Sequence, residues 1–243
     1  MKETKVSFKS KGQKVVGILH EPDKKCNYTV IVIPGFRSTK EDVSYRSKYL
    51  CENGIRALTI ELRGRGESEG VFEEMTLTDG INDVISAIDF VGTPVGLFGS
   101  SYGSMVALHT TTKDRRVKTL VLRKPLIDIK ITHGGKIIRE VEKHGFYDFE
   151  TRDGIHDVFT KKLVDDVLKY NSYEVAKNLH MPILFIVGDK DDVTPLEGAK
   201  RVYENVAGPK KFIILKNEGH EVPKNSDAVI NREATKWFKR WLR

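Results

Sequence analysis

The stretch Val95 to Ser104, Val-Gly-Leu-Phe-Gly-Ser-Ser-Tyr-Gly-Ser, constrains this chain more than any other. An apolar run ends in Gly99-Ser-Ser-Tyr-Gly103, and a helical pattern, Met105 to Thr112, follows. The order reads as strand, tight turn, helix, with Ser101 at the apex. At such an apex the backbone is strained and the serine hydroxyl points out of the turn. Residues two before and two after the serine crowd neighbouring backbone, which suits glycine, lacking Cβ, at positions 99 and 103. At this chain's glycine and serine frequencies the pattern arises by chance in about one such chain in twelve. It gains force only if a base, an acid and oxyanion donors stand in matching positions.

The remaining pattern supplies a frame. Lys5 to Lys9 and Lys14 to His20 alternate around Ser10-Lys-Gly-Gln13 and predict a hairpin. Tyr28 to Ile33 is a continuous β-branched run, as in a strand buried on both faces. It leads into Pro34-Gly35-Phe36, and a helix over about Glu41 to Glu52 follows, closed by Asn53-Gly54. Ile55 to Leu62 predicts the next strand. Thr76 or Thr78 caps a helix to Val91 whose apolar face holds Ile81, Val84, Ile85 and Ile88. Val117 to Leu122, Pro182 to Val187 and Lys211 to Leu215 predict further strands. Helices are expected from Pro195 to Val206 and from Asp227 to Leu242. Strands alternating with helices specify a mostly parallel, doubly wound α/β sheet. The alternation breaks from Arg123 to His180, too long for a plain connection, so an insertion is expected there. Within it, Phe159 to Tyr170 and Ser172 to Leu179 read as helices.

Open α/β sheets place ligands at the carboxyl ends of strands. After the strand ending at Val187 comes Gly188-Asp-Lys-Asp-Asp-Val-Thr-Pro195. After the strand ending at Leu215 comes Lys216-Asn-Glu-Gly-His220. A serine hydroxyl is a weak nucleophile until a base takes its proton, and the base needs an orienting acid. The order Ser101, then Asp191 or Asp192, then His220 supplies all three. Among seven histidines only His220 stands on a loop after the last strand with a glycine beside it. A loop histidine is ordinarily just solvated, and the serine turn is what gives this one a role.

With these residues in view, the chain resembles the α/β-hydrolase superfamily over nearly its whole length. More narrowly it is similar to the small cinnamoyl/feruloyl esterases and related serine acyl hydrolases. The resemblance is carried by Pro34-Gly-Phe36, Arg63-Gly-Arg-Gly-Glu-Ser-Glu-Gly70 and Phe72-Glu-Glu-Met-Thr76. Gly99-Ser-Ser-Tyr-Gly103, Gly188-Asp-Lys-Asp191 and Gly219-His220 complete it. It implies an α/β-hydrolase fold: a mostly parallel eight-stranded sheet flanked by helices. Residues 1–243 would form a single domain with 124–160 as a small inserted cap. It selects Asp191 as the acid over Asp192, and implies Ser101, Asp191 and His220 as the catalytic triad. The backbone N–H groups of Phe36 and Tyr102 would form the oxyanion hole. Phe146, Tyr147, Phe149 and Phe159 are the candidate substrate-binding residues, with packing of the cap as the plain alternative for each. Three positions depart from the family: Pro34 where a histidine is frequent, Glu61 for an aspartate, and Arg123-Lys124-Pro125 for small residues.

The expected function is a carboxylesterase-type serine hydrolase working through an acyl-enzyme on small or aromatic-acyl, hydroxycinnamoyl-like esters. The same residues serve thioesterases, monoacylglycerol lipases and serine peptidases, and a non-catalytic ligand-binding member of the fold is the alternative of a different class. The partner expected is a small-molecule ester. No metal or organic cofactor is called for, because the remaining histidines and acids lack ligand spacing. A net charge of +7 invites an anionic partner, but Lys and Arg alternate with Asp and Glu along the chain, so nucleic acid is not expected. Arg63 to Gly70 lacks the Gly-Lys-Ser/Thr of a phosphate loop. No apolar run approaches the roughly 20 residues of a membrane span. Two unspaced cysteines, Cys26 and Cys51, and no signal-peptide pattern predict a cytoplasmic protein. A homodimer is left open.

Overall fold

A computed structural model describes residues 1–150, 156–221 and 224–242. Among these described residues, ten strands and eight α-helices run in the order β1 (Lys2–Ser10), β2 (Gln13–Glu21), β3 (Thr29–Ile33), α1 (Lys40–Glu52), β4 (Arg56–Glu61), α2 (Leu77–Val91), β5 (Val95–Ser100), α3 (Tyr102–Thr110) and β6 (Val117–Arg123). Then come α4 (Lys136–His144), β7 (Phe146–Glu150), β8 (His156–Thr160), α5 (Lys161–Val167), α6 (Ser172–Lys177), β9 (Ile183–Gly188), α7 (Leu196–Asn205), β10 (Lys210–Leu215) and α8 (Lys224–Trp241). Eight strands form one sheet in the order β1-β2-β4-β3-β5-β6-β9-β10. The first two join it antiparallel, and the other six, β4, β3, β5, β6, β9 and β10, are parallel. This is the α/β-hydrolase fold.

The continuous apolar strands have cores on both faces. Val30 and Val32 of β3 point to one side, with Phe98, Val121 and Leu184, and pack under α1 and α8. Ile31 and Ile33 point to the other, with Leu97, Leu120 and Phe185, under α2 and α3. Such two-sided burial is what a parallel sheet covered by crossover helices demands. Helix α2 begins where the sequence places it: Thr76 accepts from the Asp79 N–H, and the Asp79 carboxylate accepts from the Thr76 N–H. Its Ile81, Val84 and Ile88 are buried, while Ile85 is only partly so.

The chain order reverses across the sheet at β3 and β5. After β3 it moves out to β4, then returns to the other side of β3 as β5. In open sheets the loops after two such strands diverge, and the ligand crevice lies at their carboxyl ends. Ser101, between β5 and α3, stands at that crevice.

Two local expectations are corrected. Helix α3 starts at Tyr102, directly after the serine, and not at Met105. Phe159 and Thr160 belong to β8, not to a helix. Thr160 ends the strand and caps α5, its hydroxyl accepting from the Leu163 N–H. The irregular region after β6 holds a 3-10 turn at Thr132–Gly135, α4, and an antiparallel pair, β7–β8, separate from the main sheet. Residues 151–155, inside the expected cap, lie outside the described residues. Among the described residues, no helix is long and apolar enough to cross a membrane.

Candidate active site

The serine turn has the geometry its spacing requires. Ser101 has φ +51° and ψ −119°, a strained conformation for a residue with a side chain. A Cβ on Gly99 would lie 2.5 Å from the Gly103 carbonyl oxygen, and one on Gly103 would lie 2.3 Å from that of Pro34. Both obstacles are backbone, so neither position has room for a larger residue.

Ser101 Oγ lies 3.0 Å from His220 Nε2. His220 Nδ1 lies 2.9 Å from Asp191 Oδ2 and 3.1 Å from Oδ1. Asp191 is buried at the start of the β9–α7 loop, where Oδ1 accepts the N–H groups of Val193 and Thr194, at 3.1 and 2.7 Å. The Thr194 hydroxyl donates to Oδ2 at 2.9 Å or to the Lys124 carbonyl at 3.1 Å. Burial works to raise the Asp191 pKa, but the His220 bond and charge and the Thr194 donors outweigh it and hold the carboxyl below its usual value. Asp192, the other acid the spacing allows, is exposed, and Asp189 accepts from the Asn217 N–H at 2.6 Å. Three loops separated in sequence thus bring one serine, one histidine and one aspartate into a hydrogen-bonded chain.

Tyr102 is the first residue of α3, so its N–H lacks an intrahelical acceptor. Phe36 follows β3 on the facing loop. Among the described residues, neither N–H has a hydrogen-bond partner. The Phe36 carbonyl accepts from Arg65 Nε at 3.0 Å, and the Arg65 guanidinium sits 3.1 Å above the Phe72 ring. Burial pulls the Arg65 pKa down to about 10 although Asp157 opposes it. The glycine-rich loop that carries Arg65 is itself organised by Glu61. That buried carboxylate accepts from the Glu67 N–H at 2.6 Å and from Lys40 Nζ at 3.3 Å. A Cβ at Gly66, φ +47°, would lie 2.2 Å from it.

The β7–β8 pair folds over the Phe36 loop through two residues on one face of β8. Phe159 stacks on Phe36, rings 4.5 Å apart and 3° from parallel. Asp157, 4 % exposed, faces Arg37 Nε at 2.9 Å and an Arg65 amino group at 3.4 Å. Burial raises the Asp157 pKa, and the two arginines only partly offset this. Phe149 stacks on Phe159 at 5.6 Å, and Tyr147 on Phe149 at 5.4 Å. Phe146 does not join these rings: strand alternation turns it outward, 49 % exposed. Tyr147 and Phe159 are deeply buried, so both also pack this region onto the body of the protein.

Sequence reasoning missed four contributors. Thr194 ties Asp191 to β6. Arg65 stands out in the sequence only as part of a glycine-rich motif. His133, φ +50°, donates its N–H to the Val193 carbonyl and sets its ring against Phe149 at 5.1 Å. Burial, then the His220 charge, lowers its pKa. Lys124 stands out in the sequence only as a departure from the family. Contacts so far apart in sequence leave no local signal, though lysine in an apolar strand end is a visible anomaly.

A serine raised on a strand–helix elbow, with histidine and aspartate in reach at the carboxyl edge of this sheet, defines an α/β hydrolase of the serine type. The chain belongs to the serine aminopeptidase S33 family, whose model matches residues 24–151, just over half its length. A TAP-like protein model matches residues 164–240. Among curated relatives, the uncharacterized 31.7 kDa protein of the traX-finO intergenic region of Escherichia coli is 24 % identical, covering 79 % of this chain and 82 % of that protein. Human mitochondrial palmitoyl-protein thioesterase ABHD10 is 26 % identical over 83 % of this chain and 69 % of its own. The structure of Est1E from Butyrivibrio proteoclasticus with ferulic acid superposes with a TM-score of 0.79 at 19 % identity, covering 96 % of this chain and 97 % of that one.

Proposed function

We propose that this protein is a carboxylesterase in which Ser101 is the nucleophile, His220 the general base and acid, and Asp191 the orienting carboxylate. The Phe36 and Tyr102 N–H groups are the oxyanion donors, and residues 124–160 are a cap on a single hydrolase domain. The observation that carries this reading is the 3.0 Å contact between Ser101 Oγ and His220 Nε2, with Asp191 on the far ring nitrogen. Because Asp191 accepts at Nδ1, the Nδ1–H tautomer is the stable one, which leaves the Nε2 lone pair facing the serine proton. His220 takes that proton as Oγ attacks the ester carbonyl. The oxygen gains negative charge between two N–H groups, each worth about 3 kcal/mol of barrier by analogy with other oxyanion donors. His220 then protonates the leaving alcohol, and water repeats the cycle on the acyl-enzyme.

The substrate proposed is a small or aromatic-acyl ester. The stacked Phe36–Phe159–Phe149 rings beside the oxyanion donors favour a planar acyl group, which would extend the stack. The ferulic acid held by Est1E agrees with that choice. Thioester hydrolysis is the second reading, favoured by the thioesterase among the curated relatives. A cytoplasmic location and a monomer or homodimer belong to the same reading, with free Cys26 and Cys51 in keeping with a reducing compartment.

The test is a panel of p-nitrophenyl acetate, methyl ferulate, an acyl-CoA and a peptide amide, on wild type and Ser101→Ala. Ester turnover lost at least 1,000-fold in the variant is expected, on the scale of removing a triad member. Turnover that survives Ser101→Ala rejects the nucleophile, and preference for the acyl-CoA moves the substrate to thioesters.

A further inference from the structure

The end of β6 touches all three loops of the site. The Arg123 carbonyl accepts the Ser101 N–H at 2.9 Å, and the Leu126 N–H donates to the Ser101 carbonyl at 3.1 Å. Between them, the Lys124 N–H donates to Ile186 of β9 at 2.7 Å, and the Lys124 carbonyl accepts from Thr194, whose hydroxyl also lies 3.2 Å from His220 Nδ1. Lys124 has φ +41° and no exposed surface. Its ammonium donates to the carbonyls of Gly219 and, at 3.1 Å, Glu221, the two residues that flank His220. It also approaches Glu218 Oε2 at 3.4 Å.

Burying an ammonium is costly unless its hydrogens are taken up, and a buried lysine is a weak device for stability alone. Here, among the described residues, the partners of the ammonium all lie on the loop that carries the base. We propose that Lys124 is a positioning residue for the hydrolytic site, fastening the His220 loop to β6 and holding a fixed positive charge behind the Asp191–His220 pair. The inference rests on the triad reading above. Burial, joined by the Arg123 charge, lowers the Lys124 pKa, while Glu218 and Asp191 act to keep it protonated.

The charge has a directional consequence. His220 is faced by Asp191 from the β9–α7 loop, Ser101 from the elbow and His133 from the turn before α4. Lys124 and Arg123 lie behind it at the end of β6. Glu218 and Glu221 stand on its own loop, and Asp192 lies beyond Asp191. A cation in this set opposes protonation of His220, and an anion favours it.

The test compares Lys124→Met with Glu218→Gln, following the His220 ring by NMR titration and kcat/KM for p-nitrophenyl acetate against pH, with circular dichroism to confirm folding. Lys124→Met should lower kcat at least 10-fold with KM within about twofold, and raise the His220 midpoint. Glu218→Gln should move the midpoint the other way. A loop that is merely loosened loses kcat in both variants without opposite shifts, and that result overturns the proposal. If Lys124→Met does not fold, Glu218→Gln decides: a midpoint that stays or rises overturns it. Because the ring titration needs no turnover, it separates failure of this proposal from failure of the hydrolase reading, which Ser101→Ala reports.

Discussion

Replacing Asp191 by asparagine should disable the site through the tautomer of His220, and the structure dictates how. The two carboxylate oxygens have different partners. Oδ1 accepts from the Val193 and Thr194 N–H groups, whereas Oδ2 faces His220 Nδ1 and the Thr194 hydroxyl. An asparagine must keep its carbonyl oxygen on the two backbone donors, since turning it would set its NH2 against them and strand all four hydrogens. Its NH2 then occupies the Oδ2 position and donates to His220 Nδ1. The imidazole proton is driven to Nε2, so an N–H, not a lone pair, faces Ser101 at 3.0 Å. The loss expected is about 10⁴-fold in kcat, the scale seen when the same exchange is made in other serine triads, or about 5 kcal/mol. Structure should change little, because the amide is isosteric and three of four polar contacts persist. Initial rates on p-nitrophenyl acetate, with thermal melts as the control, measure this. Asp192→Asn, on an exposed side chain, should stay within twofold of wild type. Asp191→Asn within tenfold of wild type, or a greater loss from Asp192→Asn, would refute the assignment.

Three further outcomes follow from the same geometry. Gly103→Ala would place a Cβ 2.3 Å from the Pro34 carbonyl and push the elbow from the Phe36 loop, so labelling of Ser101 should fall at least 100-fold and stability by about 3 kcal/mol or more. Phe159→Ala removes the ring stacked 4.5 Å from Phe36, and should cost about 3–5 kcal/mol in urea unfolding while raising KM for methyl ferulate more than for p-nitrophenyl acetate. An equal change on both esters would show that the ring only packs. His109 is buried and neutral: the Ser172 hydroxyl is committed to the Ile127 carbonyl, so His109 Nε2 must donate to it. Burial lowers its pKa from 6.5 to about 4. The unfolded chain therefore takes up the proton first, and the stability His109 contributes, whole above pH 6.5, is lost by about 3 kcal/mol as pH falls to 4. His109→Gln should remove this slope from the difference in unfolding free energy, and an unchanged slope would contradict the account.

Much of this architecture was legible because local and global demands agree. The β-branched runs at β3, β6 and β9 are buried on both faces, as such runs must be. Thr76 caps α2 because hydroxyl, acid and apolar stripe fall at the required offsets. Gly99 and Gly103 reveal the elbow because backbone fills the space where a Cβ would go. The β7–β8 pair was not legible. Its register is set by docking on a distant loop, through Phe159 on Phe36 and Asp157 between Arg37 and Arg65, and the Phe159 to Tyr170 stretch taken alone reads as helix. Lys124 shows the same limit. Its partners lie on the last loop before α8, and its left-handed backbone has no residue signature, so sequence marks it as odd without saying what it holds.

The central claim is that Ser101 is the one activated nucleophile. Treating the protein with a fluorophosphonate and weighing it intact tests this without knowledge of the substrate. One adduct per chain is expected, mapped to the peptide containing Ser101 and absent from Ser101→Ala. Wild-type protein left unlabelled, or an adduct that persists in Ser101→Ala, would contradict it.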